Sequence, residues 1–180
     1  MEIERTFIDD LLIIRPRIFN DGRGHFFESW NKKSFSDAGI KADFVQDNQS
    51  LSQKGVLRGL HFQNPPFAQA KLVRVIAGAV LDIAVDIRKN SATYGKHFAI
   101  ELNAENKTMF FIPEGFAHGF LTLEDNTIFA YKCAGYYNKA SEDTILWNDP
   151  DLGINWNVAS PLLSEKDIAG KSFRDFKSQF

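Results

Sequence analysis

The sequence has little that points to a secreted, membrane-bound or nucleic-acid-binding protein. Its single cysteine, Cys133, excludes an intramolecular disulfide and any metal site built on paired cysteines. Positive charge is not in excess: 21 Lys and Arg stand against 23 Asp and Glu, for a net charge of -2. This balance disfavours a nucleic-acid partner. The longest early apolar run, Leu11–Ile14, is too short for a signal sequence or a membrane span. We therefore expect a cytoplasmic protein with no membrane partner.

Internal repeats, low-complexity segments and Gly/Ser-rich linkers are also missing. A length of 180 residues suits one hydrophobic core, so we predict a single domain over residues 1–180. Aromatic side chains are abundant by contrast. The 17 Phe and only two Met predict a core of rigid rings.

Short segments in which apolar and polar residues alternate run along most of the chain. They cover residues 44–50, 55–63, 71–76, 79–88, 97–102, 108–113 and 127–133. Such alternation, ended by Gly, Pro or Asn, is typical of strands. Helical signal is thin, with one turn expected at Ser34–Gly39 and another opening at Ser164–Asp167. We predict an all-β fold, an antiparallel barrel or jelly roll with a few short helices.

Polar and ionisable residues gather on segments expected to line the inside of this barrel. They are Gln46, Asn48, Arg58, His61, Gln63, Gln69, Lys71, Asp82, His118 and Tyr131. A core cannot hold so many polar groups without partners or a ligand. The pattern therefore predicts a barrel with a wet interior.

Two parts of the metal-binding motif of cupins are present, but the motif is incomplete. Gly55–His61 fits G-x5-H, and Pro113–His118 fits P-x-G-x2-H. The second histidine position holds Gln63, and Gln69 and Lys71 follow where a glutamate is needed. The loss of two ligands out of four, with an ammonium nearby, removes most of the affinity for a divalent ion. We therefore predict no metal and no other cofactor.

Without a metal, His61, Lys71 and Tyr131 form a proton-transfer set if a carboxylate joins them. Imidazole is a base near neutral pH, and a carboxylate can fix its tautomer. An ammonium can stabilise an enolate oxygen, and a phenol can deliver a proton. This combination suits removal of a proton next to a carbonyl group.

Several longer motifs together resemble one enzyme family. They are Gln46–Ser50, Gly55–Gln63, Gln69–Val73, Asp82–Arg88, Pro113–Phe120 and Trp147–Pro150. They lie between Asp21–Gly24 and Ser164–Asp167, so the match extends over most of the chain. On these motifs the sequence resembles the dTDP-4-dehydrorhamnose 3,5-epimerase family.

The resemblance implies a metal-independent, cupin-like jelly roll that epimerises C3 and C5 of dTDP-4-dehydro-6-deoxy-D-glucose, giving the precursor of dTDP-L-rhamnose. It implies that His61 is the general base, oriented by Asp167. Tyr131 would donate the proton on the opposite face, and Lys71 would neutralise charge on the C4 oxygen. The physical logic agrees, because the C4 ketone acidifies both neighbouring C–H bonds and inversion needs a base and an acid on opposite sides of the ring.

The resemblance also implies the substrate-binding residues. Besides Lys71, they are Arg23, Glu28, Gln46, Asp47 and Asn48 at the nucleotide, Arg58 and His118 at the diphosphate or sugar, Tyr137 stacked on thymine, and Glu142 and Lys166 near the mouth. A homodimer is implied as well. In it N-terminal strands are exchanged and residues of one chain reach the partner's nucleotide site, with Thr6–Arg15 as an early strand.

One implied pair of positions conflicts with regular strand geometry. Arg58 and His61 are three residues apart, so an unbroken strand would place them on opposite faces. Both are expected at the substrate. We predict that Gly59 supplies a bulge or twist that turns one side chain inward.

Three alternatives remain open at this point. The first is an epimerase that inverts only C3 or only C5 of a related dTDP-4-keto-deoxysugar, because the same base and acid serve each reaction. The second is a metal-dependent cupin, which Gln63 and the missing glutamate disfavour. The third is a non-catalytic module that binds sugar nucleotides, which the His61, Lys71 and Tyr131 set disfavours.

Overall fold

The computed structural model describes residues 1–180 and contains thirteen strands and two short helices. The strands are β1 (Glu2–Arg5), β2 (Leu12–Arg15), β3 (Ile18–Asp21), β4 (Gly24–Phe27), β5 (Gln46–Ser52), β6 (Leu57–Gln63), β7 (Lys71–Ala77), β8 (Ala79–Asp86), β9 (His97–Asn103), β10 (Met109–Ile112), β11 (Phe116–Thr122), β12 (Thr127–Cys133) and β13 (Glu142–Thr144). The helices are α1 (Lys32–Asp37) and α2 (Glu165–Ile168). Neither helix is long and apolar enough to cross a membrane.

The strands form two antiparallel sheets that face each other. One sheet has the order β1-β2-β10-β7-β12-β5, and the other has the order β13-β6-β11-β8-β9. Strands β3 and β4 pair only with each other as a hairpin. This architecture is a cupin-like jelly roll, so the predicted all-β fold is confirmed.

Apolar side chains from both sheets fill most of the space between them. The cluster includes Val73 and Phe129 from one sheet and Val80 and Phe120 from the other. The rings of Phe120 and Phe129 stack with centroids 4.1 Å apart. The polar side chains His61, Gln63, Lys71 and Tyr131 lie together in a cavity next to this apolar cluster.

Strand β11 was missed as a strand because it has no alternating pattern. All seven of its residues are buried, since one face lies in the barrel and the other is covered. The C-terminal region covers that outer face with Leu152, Trp156 and Phe176. A strand buried on both faces loses the polar positions that reveal period two.

The N-terminal region differs from the prediction. A single strand over Thr6–Arg15 was wrong: the chain turns between β1 and β2, and the backbone N–H of Thr6 donates to the carbonyl of Leu11 at 3.3 Å. Only Leu12–Arg15 of that range is strand, and it pairs with both β1 and β10.

The irregularity predicted at Gly59 is present. His61 lies opposite His118 and Arg58 lies opposite Phe120, so three steps along β6 match two along β11. Gly59 has φ of +149°, and an added Cβ would lie 2.5 Å from the Cα of Gly119. The bulge lets Arg58 and His61 both turn to the barrel side of β6, while Leu60 packs in the outer cluster that contains Trp156.

Candidate active site

A cavity of about 550 Å³ opens at the polar end of the barrel. Strand register explains which residues meet there. On the six-stranded sheet, Cys133 lies between Gln46 and Lys71, and Tyr131 is paired with Asn48. On the facing sheet, β6 contributes His61 and Gln63. Thirteen residues line the cavity, and they are Gln46, Asp47, Asn48, Gln49, His61, Phe62, Gln63, Gln69, Lys71, Tyr131, Cys133, Tyr137 and Glu142.

His61 is held against a buried carboxylate. Its Nε2 lies 2.7 Å from Oδ1 of Asp167, whose side chain is only 3% exposed. The same Oδ1 accepts the backbone N–H of Gly59 at 3.1 Å. Oδ2 accepts the backbone N–H of Ser164 at 3.1 Å and its hydroxyl at 2.5 Å. Since Ser164 is the N-cap of α2 and Asp167 completes a capping box, the local helix start fixes this carboxylate.

These surroundings set the protonation state of each group. Burial lowers the pKa of His61, and the contact with Asp167 only partly opposes that effect. Burial would raise the pKa of Asp167, but the hydrogen bonds from His61, Ser164 and Gly59 hold it well below its usual range. At neutral pH the pair is therefore a neutral imidazole beside a carboxylate, which is the state required of a general base.

Tyr131 and Lys71 approach the cavity from the sheet opposite His61. Burial raises the pKa of the Tyr131 phenol, so it stays protonated at neutral pH. Burial lowers the pKa of the Lys71 ammonium. A group between the sheets thus meets a base from one side and a proton donor from the other.

Beneath the cavity lies a second histidine–carboxylate pair. Nε2 of His118 is 3.0 Å and 2.9 Å from the two carboxylate oxygens of Asp82. Both side chains are almost fully buried. The ring of His118 lies 6.2 Å from that of Phe129, where the apolar part of the interior begins.

The mouth of the cavity is framed by Tyr137, Glu142 and Lys166. The Tyr137 hydroxyl donates to Oε2 of Glu142 at 3.1 Å, and Lys166 forms an ion pair with Oε1 of the same carboxylate. The backbone N–H of Tyr137 donates to Oε1 of Gln46 at 3.1 Å. These contacts link the loop before β13 to both β5 and α2.

The structure does not bring all of the predicted site residues to this cavity. Asp47 lines the cavity, but its carboxylate is exposed and pairs at 2.8 Å with Lys132. Arg58 does not line the cavity, and its Nε donates to Oγ of Ser52 at 3.3 Å. Its positive charge is still near enough to lower the pKa of Tyr131. Arg23 pairs with Asp21 in the β3–β4 hairpin, and Glu28 accepts a hydrogen bond from Asn31 at 2.8 Å. Neither Arg23 nor Glu28 lines the cavity.

Three residues at the site had no predicted role there. Cys133 lines the cavity because it follows Tyr131 by two positions on one strand, and such residues share a face. The alternation of the sequence could therefore have predicted it. Asp82 was grouped with the interior polar residues, but its pairing with His118 needed the register of β8 and β11. Ser164 was seen only as the start of a helix, and its contact with Asp167 depends on the cap geometry.

The structure contains no cluster of three or more His, Cys, Asp or Glu side chains that could hold a metal ion. Gln63, at the second histidine position of the cupin motif, has both ends of its amide hydrogen-bonded to the backbone. Nε2 donates to the carbonyls of Phe67 at 2.7 Å and Tyr136 at 3.3 Å, and Oε1 accepts the N–H of Asn138 at 2.7 Å.

Comparison with known proteins assigns the chain to a family. The family model for dTDP-4-dehydrorhamnose 3,5-epimerase matches residues 5–175. The dTDP-4-dehydrorhamnose 3,5-epimerase of Shigella flexneri is 54% identical over 176 residues, which cover 97% of each chain.

Solved structures agree with this assignment. The dTDP-6-deoxy-D-glucose-3,5-epimerase of Legionella pneumophila, in complex with dTDP-4-keto-L-rhamnose, has a TM-score of 0.94 and 49% identity, and the match covers 98% of this chain and 94% of that one. A 3'-monoepimerase from Streptomyces bikiniensis, in complex with dTDP-quinovose, has a TM-score of 0.88 and 34% identity, covering 94% of this chain and 86% of that one. The chain therefore belongs to the dTDP-4-dehydrorhamnose 3,5-epimerase family.

Proposed function

We propose that this protein is a dTDP-4-dehydrorhamnose 3,5-epimerase, an isomerase of dTDP-L-rhamnose biosynthesis. Its substrate is dTDP-4-dehydro-6-deoxy-D-glucose, which it inverts at C3 and C5. The observation that carries this proposal is the position of His61, 2.7 Å from Asp167 and facing Tyr131 across one cavity. An inversion next to a ketone needs this opposed base and acid.

The residues divide the chemistry among them. His61 removes the proton from C3 or C5, and Asp167 stabilises the imidazolium that forms. The Lys71 ammonium neutralises the negative charge that develops on the C4 oxygen of the enolate. Tyr131 then protonates the same carbon from the opposite face, and the tyrosinate is stabilised by the nearby charge of Arg58. Gln46, Asn48, Tyr137, Glu142 and Lys166 hold the nucleotide end, while His118 lies below the sugar.

The reaction needs no metal or other cofactor in this proposal. A proton next to a ketone is acidic enough for side-chain bases, and Lys71 supplies the positive charge that a cation would otherwise supply. The amide of Gln63 supports the same view, because its nitrogen donates both protons to backbone carbonyls and, unlike an imidazole nitrogen, has no lone pair for a cation.

Proton NMR in heavy water tests the proposal. The purified protein is treated with EDTA and mixed with dTDP-4-dehydro-6-deoxy-D-glucose. We expect deuterium at both C3 and C5, together with the inverted product. Deuterium at one position alone would identify a single-site epimerase, as in the relative from Streptomyces bikiniensis. Loss of exchange on EDTA treatment, restored by a divalent ion, would contradict the metal-free reaction.

Two variants assign the roles in the same experiment. We expect His61→Ala to abolish both exchange and epimerisation, with His97→Ala on β9 as the control histidine away from the cavity. Tyr131→Phe should keep part of the exchange but form little inverted product, with Tyr94→Phe as its control. Equal activity of His61→Ala and the wild type would contradict the mechanism, and binding of dTDP without any exchange would indicate a non-catalytic module.

We also propose that the protein works as a cytoplasmic homodimer of single-domain chains, with no nucleic-acid or membrane partner. Leu51 and Ile76 are exposed on the outer face of the six-stranded sheet. The β3–β4 hairpin exposes Phe19 and Phe26, and it carries Arg23 away from this chain's own cavity. Exchange of N-terminal strands between subunits would cover these apolar groups and bring Arg23 and Glu28 to the partner's nucleotide.

A further inference from the structure

The loop that carries Tyr137 has little regular structure of its own. It joins β12 to β13, and the side chain of Tyr137 makes only one hydrogen bond, to Glu142. Tyr137 itself is 55% exposed, so packing does not fix its ring. Its orientation must come from the backbone of the loop.

Three glutamine side chains bind that backbone in place of a neighbouring strand. Gln69 donates to the carbonyl of Gly135 at 2.5 Å, and Gln46 accepts the N–H of Tyr137 at 3.1 Å. Gln63 binds both neighbours of Tyr137: Nε2 donates to the Tyr136 carbonyl at 3.3 Å, and Oε1 accepts the Asn138 N–H at 2.7 Å.

Gln63 differs from the other two glutamines because it is buried and because it also binds a second loop. Gln63 is only 5% exposed, and it is the last residue of β6. Its Nε2 also donates to the Phe67 carbonyl at 2.7 Å, which ties the loop before β7 to the loop that carries Tyr137. A buried amide with all these partners can take only one orientation, because any rotation leaves peptide groups unsatisfied.

We propose that Gln63 is a positioning residue that holds Tyr137 over the nucleotide end of the cavity and so sets the affinity for the dTDP moiety. The inference rests on the proposed function, since it takes the thymine ring as the group that Tyr137 contacts. Gln63 acts on binding and not on proton transfer, because His61 is held by its pairing with His118 of β11 and Tyr131 by its pairing with Asn48 of β5, and neither partner is in the loop.

The test is the affinity for dTDP, measured by calorimetry on the purified full chain. Gln63→Met keeps the length of the side chain but removes its amide. We expect Kd for dTDP to rise about tenfold, the equivalent of one to two hydrogen bonds. We expect KM to rise in parallel, with kcat within about threefold of the wild type. Gln53→Met, at an exposed glutamine, is the control for the substitution.

A double variant separates positioning of Tyr137 from general damage. In a Tyr137→Ala background, Gln63→Met should change Kd by less than about twofold, because the ring that it positions is gone. If Gln63→Met does not fold, Gln63→Glu replaces it, since the carboxylate keeps the acceptor for Asn138 and loses both donated bonds.

The outcomes distinguish this inference from the proposed function. Unchanged dTDP affinity in a folded Gln63 variant, with a wild type that binds dTDP, would overturn the role of Gln63 alone. The same loss of affinity with and without Tyr137 would also overturn it. A wild type that neither binds dTDP nor exchanges the substrate's protons would overturn the proposed function as well.

Discussion

Nε2 of His61 lies 2.7 Å from Oδ1 of Asp167, although the two residues are more than 100 positions apart in the chain. His61 is on a strand of the barrel, whereas Asp167 belongs to a short C-terminal helix that packs against that strand. Asp167 serves two structures at once, because the carboxylate that orients the imidazole also closes the capping box of α2. The fold of the C-terminal segment and the state of the base are therefore coupled.

This coupling predicts the pH dependence of the reaction. Burial lowers the pKa of His61 below its ordinary value of 6.5, so the imidazole stays neutral at pH 6.5 and activity falls only as the pH drops through the lowered pKa. Burial raises the pKa of Tyr131 above 10.0, so the acid stays protonated until more alkaline pH. Burial also lowers the pKa of Lys71 below 10.5, and loss of its ammonium removes the charge that stabilises the enolate. We therefore expect kcat/KM to be nearly flat from the lowered pKa of His61 up to the lowered pKa of Lys71. A half-maximal point above pH 6.5 on the acid side would contradict the assignment of His61 as the base.

The second prediction concerns the carboxylate itself. Asp167→Asn can still cap α2, but its neutral amide cannot stabilise the imidazolium. We expect kcat to fall by about 10²–10⁴-fold with little change in KM. Asp149→Asn is the matched control, because Asp149 is also buried and accepts two backbone N–H groups. Steady-state rates of both variants, with their melting temperatures, separate catalysis from stability. Equal losses of activity would mean that Asp167 acts only on stability.

Strand parity explains which parts of the site could be predicted from the sequence. Lys71 and Tyr131 lie at inward positions of strands that face the barrel with one side, so alternation places them correctly in the cavity. The contact of His61 with Asp167 has no such signal, since α2 is joined to the barrel by irregular segments. The family resemblance alone predicts this contact, and the structure brings the two residues together.

Pairing and assembly explain what could not be predicted. The β11 strand has no polar face, and the turn between β1 and β2 lies within Thr6–Arg15, a segment whose apolar residues predict one strand. Arg23 and Glu28 lie outside this chain's cavity, and their predicted binding roles depend on a second subunit. The hydrophobic periodicity of one chain does not show which strand pairs with an edge strand. It also does not show which residues a neighbouring subunit contributes.

The third prediction tests that second subunit. Arg23→Ala and His61→Ala should each weaken or abolish activity as homodimers. In a mixed dimer, the site with an intact His61 receives Arg23 from the other chain, so one of its two sites is complete. Random mixing by co-expression should therefore restore about a quarter of the wild-type sites. Activity is measured at substrate concentrations below KM, where the loss of a nucleotide contact lowers the rate most.

The control for this mixture is a pair of variants whose substituted residues both belong to the chain's own cavity. Tyr131→Phe and His61→Ala leave each site of a mixed dimer without one catalytic group, so no activity should return. Restoration in the Arg23 mixture alone would support contribution across the subunits. Failure of the Arg23 mixture to gain activity, with mixed dimers present by mass spectrometry, would place Arg23 outside the site.

The last prediction concerns the bulge that turns Arg58 and His61 to the same side. Gly59 has φ of +149°, and a Cβ there would lie 2.5 Å from the Cα of Gly119 and 3.2 Å from the carbonyl of His118. Gly59→Ala must therefore separate two paired strands or abandon the bulge. We expect the free energy of unfolding to fall by about 2–4 kcal/mol.

Gly39→Ala isolates the backbone cost, since Gly39 has φ of +94° but no atom within 4 Å of its added Cβ. This variant should lose only about 1–2 kcal/mol of unfolding free energy. Urea unfolding measures both. Equal losses would show that the close approach of β6 and β11 contributes nothing, and the position of His61 would then need another cause.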